Sequence, residues 1–189
     1  ALVLLPPVWP TLVEIPRLLG ADAVTFALDY PAAGWKLDLQ GLLATLTPAT
    51  RMLCINSPNN PTGWTISRDE QHAILEHCRR HGIWILADDA YERLYYGATV
   101  APSFLDIADA GDRLVSANTF SKSWLMTGWR LGWLVAPSEL MPYLGTLTEY
   151  NTSCAPGFVQ RAGIVAIKQG EPVIARTQQR FRNARDFLA

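Results

Sequence analysis

The feature that most constrains this chain is a rhythm of short apolar runs alternating with stretches whose apolar residues return at helical spacing. The runs are Leu2 to Leu5, Val24 to Ala27, Met52 to Ile55, Ile83 to Asp88, Arg113 to Ala117 and Gly132 to Ala136. A strand with one wet face alternates apolar and polar residues, whereas a strand covered on both faces can be apolar throughout. The pattern therefore predicts an α/β fold: a mostly parallel sheet with helices on both faces, an α-β-α sandwich.

Punctuation between the runs supports this assignment. Trp9-Pro10 opens a helical stretch that Gly20 closes near Leu19, with Pro16 inside it expected to kink or loosen it. Asp38 is a candidate N-cap for a helix whose Leu39, Leu42, Leu43 and Leu46 share one face, and Pro48 lies just beyond. Ser67 and Glu70 have the spacing of a capping box; Ile74, Leu75 and Cys78 then form a buried stripe that stops at Gly82. After Pro137 the chain turns helical again, with Ser138 a candidate N-cap and further helices over Phe158 to Gln169 and Pro172 to Leu188.

With 189 residues and a net charge of −1, the chain has the size for one sizeable core and no basic excess for nucleic acid. Its apolar runs are too short to cross a membrane as a helix, and the opening residues lack the charged start of a signal peptide. Cys54, Cys78 and Cys154 are odd in number and scattered, which fits reduced thiols in a cytoplasmic protein. His77 and His81 share a helix face at metal-binding spacing, but no carboxylate or thiol motif completes a site, so solvated surface is the expectation and no metal is predicted. The missing initial Met and the helical pattern at the last residue suggest a piece of a longer protein.

In open α/β sheets, ligands gather outside the carboxyl ends of the strands. Trp9 follows the first run, Asn60 the third, Asp88 and Tyr91 close the fourth, and Lys122 follows the fifth, so one pocket can receive them all. Taken singly, Asn60 can be a turn former, Trp9 a core residue and Arg130 half of a surface ion pair. Asp88 and Asp89, as neighbours on an extended strand end, should point to opposite faces rather than share a ligand.

Asn60-Pro61-Thr62-Gly63, Asp88-Asp89-Ala90-Tyr91, and Thr119-Phe120-Ser121-Lys122 with Arg130 eight residues on resemble the motifs of the class I/II, fold type I aminotransferases. Pro7-Val8-Trp9-Pro10 is similar to the segment that brings an aromatic ring over their cofactor. The resemblance implies pyridoxal 5′-phosphate, held by Lys122 as a Schiff base, with Lys122 then moving the substrate's α-proton. It implies that Asp88 pairs with the ring nitrogen, that Asn60 and Tyr91 donate to the ring hydroxyl oxygen, and that Thr119, Ser121 and Arg130 hold the phosphate while Trp9 stacks on the ring. A neighbouring cation lowers an aspartate pKa by about 1 to 3 units, so Asp88 is expected to stay ionised against the ring.

The activity implied is transfer of an amino group from an amino acid to a 2-oxo acid, in a homodimer. The alternatives are a carbon–sulfur lyase or decarboxylase on the same cofactor, or an aminotransferase-like domain of a transcriptional regulator. Residues 1–189 would then be most of the large cofactor-binding domain, without the family's N-terminal phosphate loop or the small C-terminal domain that clasps the substrate carboxylate.

Overall fold

In the computed structural model, which describes residues 1–188, the strands β1 (Leu2–Leu4), β2 (Ala23–Thr25), β3 (Met52–Asn56), β4 (Trp84–Asp88), β5 (Leu114–Thr119) and β6 (Gly132–Val135) form one sheet. The order across it is β2-β1-β3-β4-β5-β6. All neighbouring pairs are parallel except β5–β6, so the sheet is mostly parallel with an antiparallel edge. At that edge Thr119 and Gly132 face each other, and the connection between them includes the short helix α4 (Phe120–Ser123).

Side-chain alternation sorts the strand residues into two cores. Val3, Leu53, Ile55, Ile85, Ala87 and Leu114 face one way and are buried with residues of α2 (Leu39–Thr45) and α3 (Arg68–His81). Leu2, Leu4 and Cys54 face the other way, against Leu12 and Val13 of α1 (Thr11–Leu18). Helices thus lie on both faces, as the continuous apolar strands require. The remaining helices are α5 (Met141–Thr152), α6 (Gly157–Gln169) and α7 (Glu171–Leu188). No helix among the described residues is long and apolar enough to cross a membrane.

The expected caps form where the first half of the chain has them. Asp38 accepts from Gly41 N at 3.1 Å, and Ser67 with Glu70 closes a complete capping box at the start of α3. Gly82 ends α3 with φ of 64°, a left-handed conformation that a residue with a Cβ adopts only under strain. Ser138 does not cap: it begins a short 3-10 turn, and α5 starts at Met141 without a side-chain cap, its first turn instead holding Pro142. Proline suits that position because the N–H it lacks would be unpaired anyway. Helix α1 contains Pro16 and ends two residues after it, at Leu18.

Replacing Ser67 with alanine should remove the cap and lower stability by about 1 kcal/mol. Thermal unfolding should then shift down by roughly 2 to 4 °C for a chain of this size, and an unchanged midpoint would show that α3 holds its start by packing alone.

Candidate active site

The site is assembled by strand register. Asn56 pairs with Asp88, and Asp88 with Ala117, so the carboxyl ends of β3, β4 and β5 stand level and the three segments that follow leave from one edge. Asn56 fastens two of them together. Its Nδ2 donates to Asp88 O at 3.1 Å, while its Oδ1 accepts from Asn60 N at 2.8 Å. Asn60 Nδ2 in turn donates to the Tyr91 hydroxyl at 3.3 Å.

Lys122 reaches the same place from β5. Its Nζ lies 5.5 Å from the centroid of the Tyr91 ring, within cation–π range. Four of the residues singled out in the sequence, Asn60, Asp88, Tyr91 and Lys122, therefore meet. Asn56 is an addition, and its sequence signal was a lone amide ending an otherwise apolar strand.

The segment from Thr119 to Arg130 is a closed loop. Thr119 Oγ1 caps α4 by accepting from Ser121 N at 3.1 Å and donates to Leu131 O at 3.3 Å. Ser121 is buried, and its carbonyl accepts from Thr127 Oγ1 at 3.2 Å. Arg130 is exposed, sits at φ of 53°, and donates from Nη1 to Thr127 O at 2.7 Å, a bond within the loop rather than an ion pair. Trp9 is 53% exposed, which removes the core alternative. Among the described residues no ring contact or hydrogen bond joins its side chain to the cluster.

The two adjacent aspartates part as strand geometry demands. Asp88 Oδ1 accepts from Ala90 N at 3.2 Å and feels the Lys122 charge, whereas Asp89 is buried and takes Ser116 Oγ at 2.6 Å and Ser103 Oγ at 3.4 Å. Among the protein's own groups, burial is the largest influence on Asp88 and raises its pKa; the Ala90 bond and the Lys122 ammonium pull it back. The simple expectation of a depressed Asp88 thus holds only for the pairing with a ring cation, because the fold itself pushes the carboxyl up. Burial likewise lifts Asp89 to about 6 and Glu92 to about 7. Cys54 is raised to about 12 by burial first and by the Asp88 charge second, so it is an inert core thiol.

The histidine pair is used locally: His77 Nε2 lies 2.9 Å from Leu46 O at the end of α2, and its ring is 4.5 Å from that of His81.

The fold of this chain is similar to that of solved aminotransferases. An N-succinyldiaminopimelate aminotransferase from Mycobacterium tuberculosis aligns with a TM-score of 0.89 at 29% identity, over 99% of this chain and 49% of the other. An aspartate aminotransferase variant from Thermus thermophilus aligns with a TM-score of 0.90 at 26% identity, over 99% of this chain and 51% of the other. Residues 1–189 match the family described as aminotransferase class I and II, and the chain belongs to that family.

Among curated relatives, the aspartate aminotransferase of Musicola paradisiaca is 30% identical over 184 residues, 96% of this chain and 45% of the relative. The arginine–pyruvate transaminase of Pseudomonas aeruginosa is 34% identical over 156 residues, 82% of this chain and 39% of the relative. The chain spans less than half the length of these two relatives.

The raised acids make a pH prediction. An acid with a higher pKa folded than unfolded binds more protons in the folded state, so its stabilising contribution is present below the unfolded pKa and is lost as pH rises through the folded one. For Glu92 that window runs from 4.5 to about 7. Urea unfolding across it should show wild type losing stability relative to Glu92→Gln as pH rises; parallel curves would refute the buried-acid assignment.

Proposed function

We propose that this chain is most of the large, cofactor-binding domain of a pyridoxal 5′-phosphate-dependent aminotransferase, which moves an amino group between amino acids and 2-oxo acids. The observation that carries the reading is the meeting of Lys122, Asp88, Tyr91 and Asn60 at one sheet edge. Their chemistry fits the cofactor: an amine for an aldehyde, a carboxylate for a ring nitrogen, and two hydrogen-bond donors for a ring hydroxyl oxygen. The relatives are aminotransferases and transaminases by name, which supports amino transfer over lyase or decarboxylase chemistry and over a regulator's domain.

Pyridoxal 5′-phosphate, when bound, supplies an aldehyde that condenses with amines and a ring that withdraws electrons from the substrate α-carbon. Lys122 would hold that aldehyde and, once displaced by substrate, would take the α-proton at Nζ and deliver it to the cofactor's former aldehyde carbon, on the far side of the shared nitrogen. General acid–base catalysis of this kind contributes roughly 10² to 10⁴ in rate. Asp88 would keep the ring nitrogen protonated, since its carboxylate is ionised most readily with a cation against it. Asn60 Nδ2 and the Tyr91 hydroxyl, already bonded to each other, would turn toward the ring oxygen together. Ser121 and Arg130 would meet the phosphate, Arg130 through its forked donors. Thr119 would join them by giving up its bond to Leu131 O. Trp9, exposed beyond β1, would cover the ring face.

The assembly we propose for the full-length protein is a cytoplasmic homodimer. Association is supported by large apolar side chains left exposed on α5 and α6, among them Tyr143, Leu147, Tyr150, Phe158 and Ile167.

In the full-length protein, successive additions of an amino acid and a 2-oxo acid should convert the cofactor's absorbance to the amine form and back. Lys122→Ala should abolish that cycle, and Asp88→Ala should slow it by orders of magnitude while retaining bound cofactor. Normal cycling in the Lys122 variant would overturn the reading.

A further inference from the structure

The residue after Asp88 presents a physical problem. Asp89 is a carboxylate 5% exposed, and among the described residues no cation pairs with it; Asp88 and Asp106 add like charge nearby. A buried acid of this kind is destabilising unless hydrogen bonds compensate it. What Asp89 has are hydroxyls from two other elements. Ser116 Oγ, itself fully buried, donates to Asp89 Oδ2 at 2.6 Å, and Ser103 Oγ lies 3.4 Å from the same oxygen.

The contacts continue in both directions. Asn118 Nδ2 donates to Ser116 Oγ at 2.8 Å, and Asn118 immediately precedes Thr119, the cap of the helix that carries Lys122. On the other side, Ser103 caps a short turn, with Asp106 accepting from Ser103 N to complete the box, and Arg68 at the start of α3 donates from Nη1 to Ser103 O at 2.8 Å. The backbone adds a parallel tie, Asp89 N donating to Ala117 O at 3.0 Å. Adjacent residues on an extended strand must point to opposite faces, so fixing the Asp89 side chain on one face fixes the Asp88 side chain on the other.

We infer that Asp89 is a positioning residue: by bonding Ser116 and Ser103 it locks the end of β4, which carries Asp88, against the end of β5, which leads into the helix carrying Lys122, at the spacing that one cofactor ring requires. The inference rests on the reading of Asp88 and Lys122 as the residues at the two ends of that ring. The side-chain oxygen suits the task because Oδ2 alone accepts from both hydroxyls, tying two elements to the end of β4. An apolar residue at 89 would fill the space and leave β4 and β5 held by backbone bonds alone.

The test uses the full-length protein without cofactor, with Asp89→Asn, Asp89→Ala, Ser116→Ala and the double alanine variant. Each is titrated with pyridoxal 5′-phosphate to obtain a dissociation constant, and its urea midpoint is measured separately. Asp89→Asn keeps an oxygen for Ser116 and should bind within about threefold of wild type. Asp89→Ala and Ser116→Ala should each weaken binding by about tenfold or more, and the double variant should be little worse than the weaker single one, because both break the same bond.

Unchanged affinity in the two alanine variants alongside lowered urea midpoints would make Asp89 a packing residue and overturn the inference. A loss in Asp89→Asn as large as in Asp89→Ala would overturn it as well, since charge rather than the bond would then matter. If Asp89→Ala does not fold, Ser116→Ala against wild type decides. Failure of the wild-type protein to bind the cofactor would instead strike at the functional reading.

Discussion

The register of three parallel strands is the constraint on which everything else depends. Because Asn56, Asp88 and Ala117 stand level, a strand end, a proline-containing loop and a lysine-bearing helix converge within the reach of a few side chains. A slip of one residue in β4 would exchange its two faces and send Asp88 to the side now occupied by Asp89. The register is held by the buried faces themselves: Ile85 and Ala87 of β4 pack in one core with Leu53, Ile55 and Leu114 of the neighbouring strands, and such a slip would turn both β4 residues toward the other face.

Two adjacent carboxylates then acquire different environments from geometry alone. Asp88 faces Lys122, whose charge favours its ionised form, while Asp89 faces hydroxyls beneath the sheet edge. Burial acts on both and raises both. One motif thus places a carboxylate where a cation can meet it and a second where it can only be hydrogen-bonded. Asn56 plays a comparable part on β3, where its amide joins the Asn60 turn to the backbone of Asp88.

Much of this was legible in the residues because it depends on local chemistry. Ser67 with Glu70, Asp38 and Gly82 mark helix ends through bonds spanning three or four residues, and the apolar strands declare a sheet covered on both sides. The motifs around Asn60, Asp88 and Lys122 were found by residue type and order. What escaped depends on distant partners. Alternation along a strand separates Asp89 from Asp88 but does not reveal its partners, because Ser103 and Ser116 lie 14 and 27 residues away. The antiparallel edge at β6 and the uncapped start of α5 follow from how the chain returns after Lys122, which periodicity does not encode. Trp9 was identified by its motif, and its exposed position was not foreseeable from an aromatic set among prolines.

The central claim is that Asp88 and Lys122 address opposite ends of a single heterocycle. The most direct measurement is a crystal structure of the full-length protein with pyridoxal 5′-phosphate. It should place an Asp88 carboxylate oxygen about 3 Å from the ring nitrogen and show continuous density from Lys122 Nζ to the cofactor. A cofactor bound elsewhere, or a ring nitrogen facing a group other than Asp88, would contradict the account.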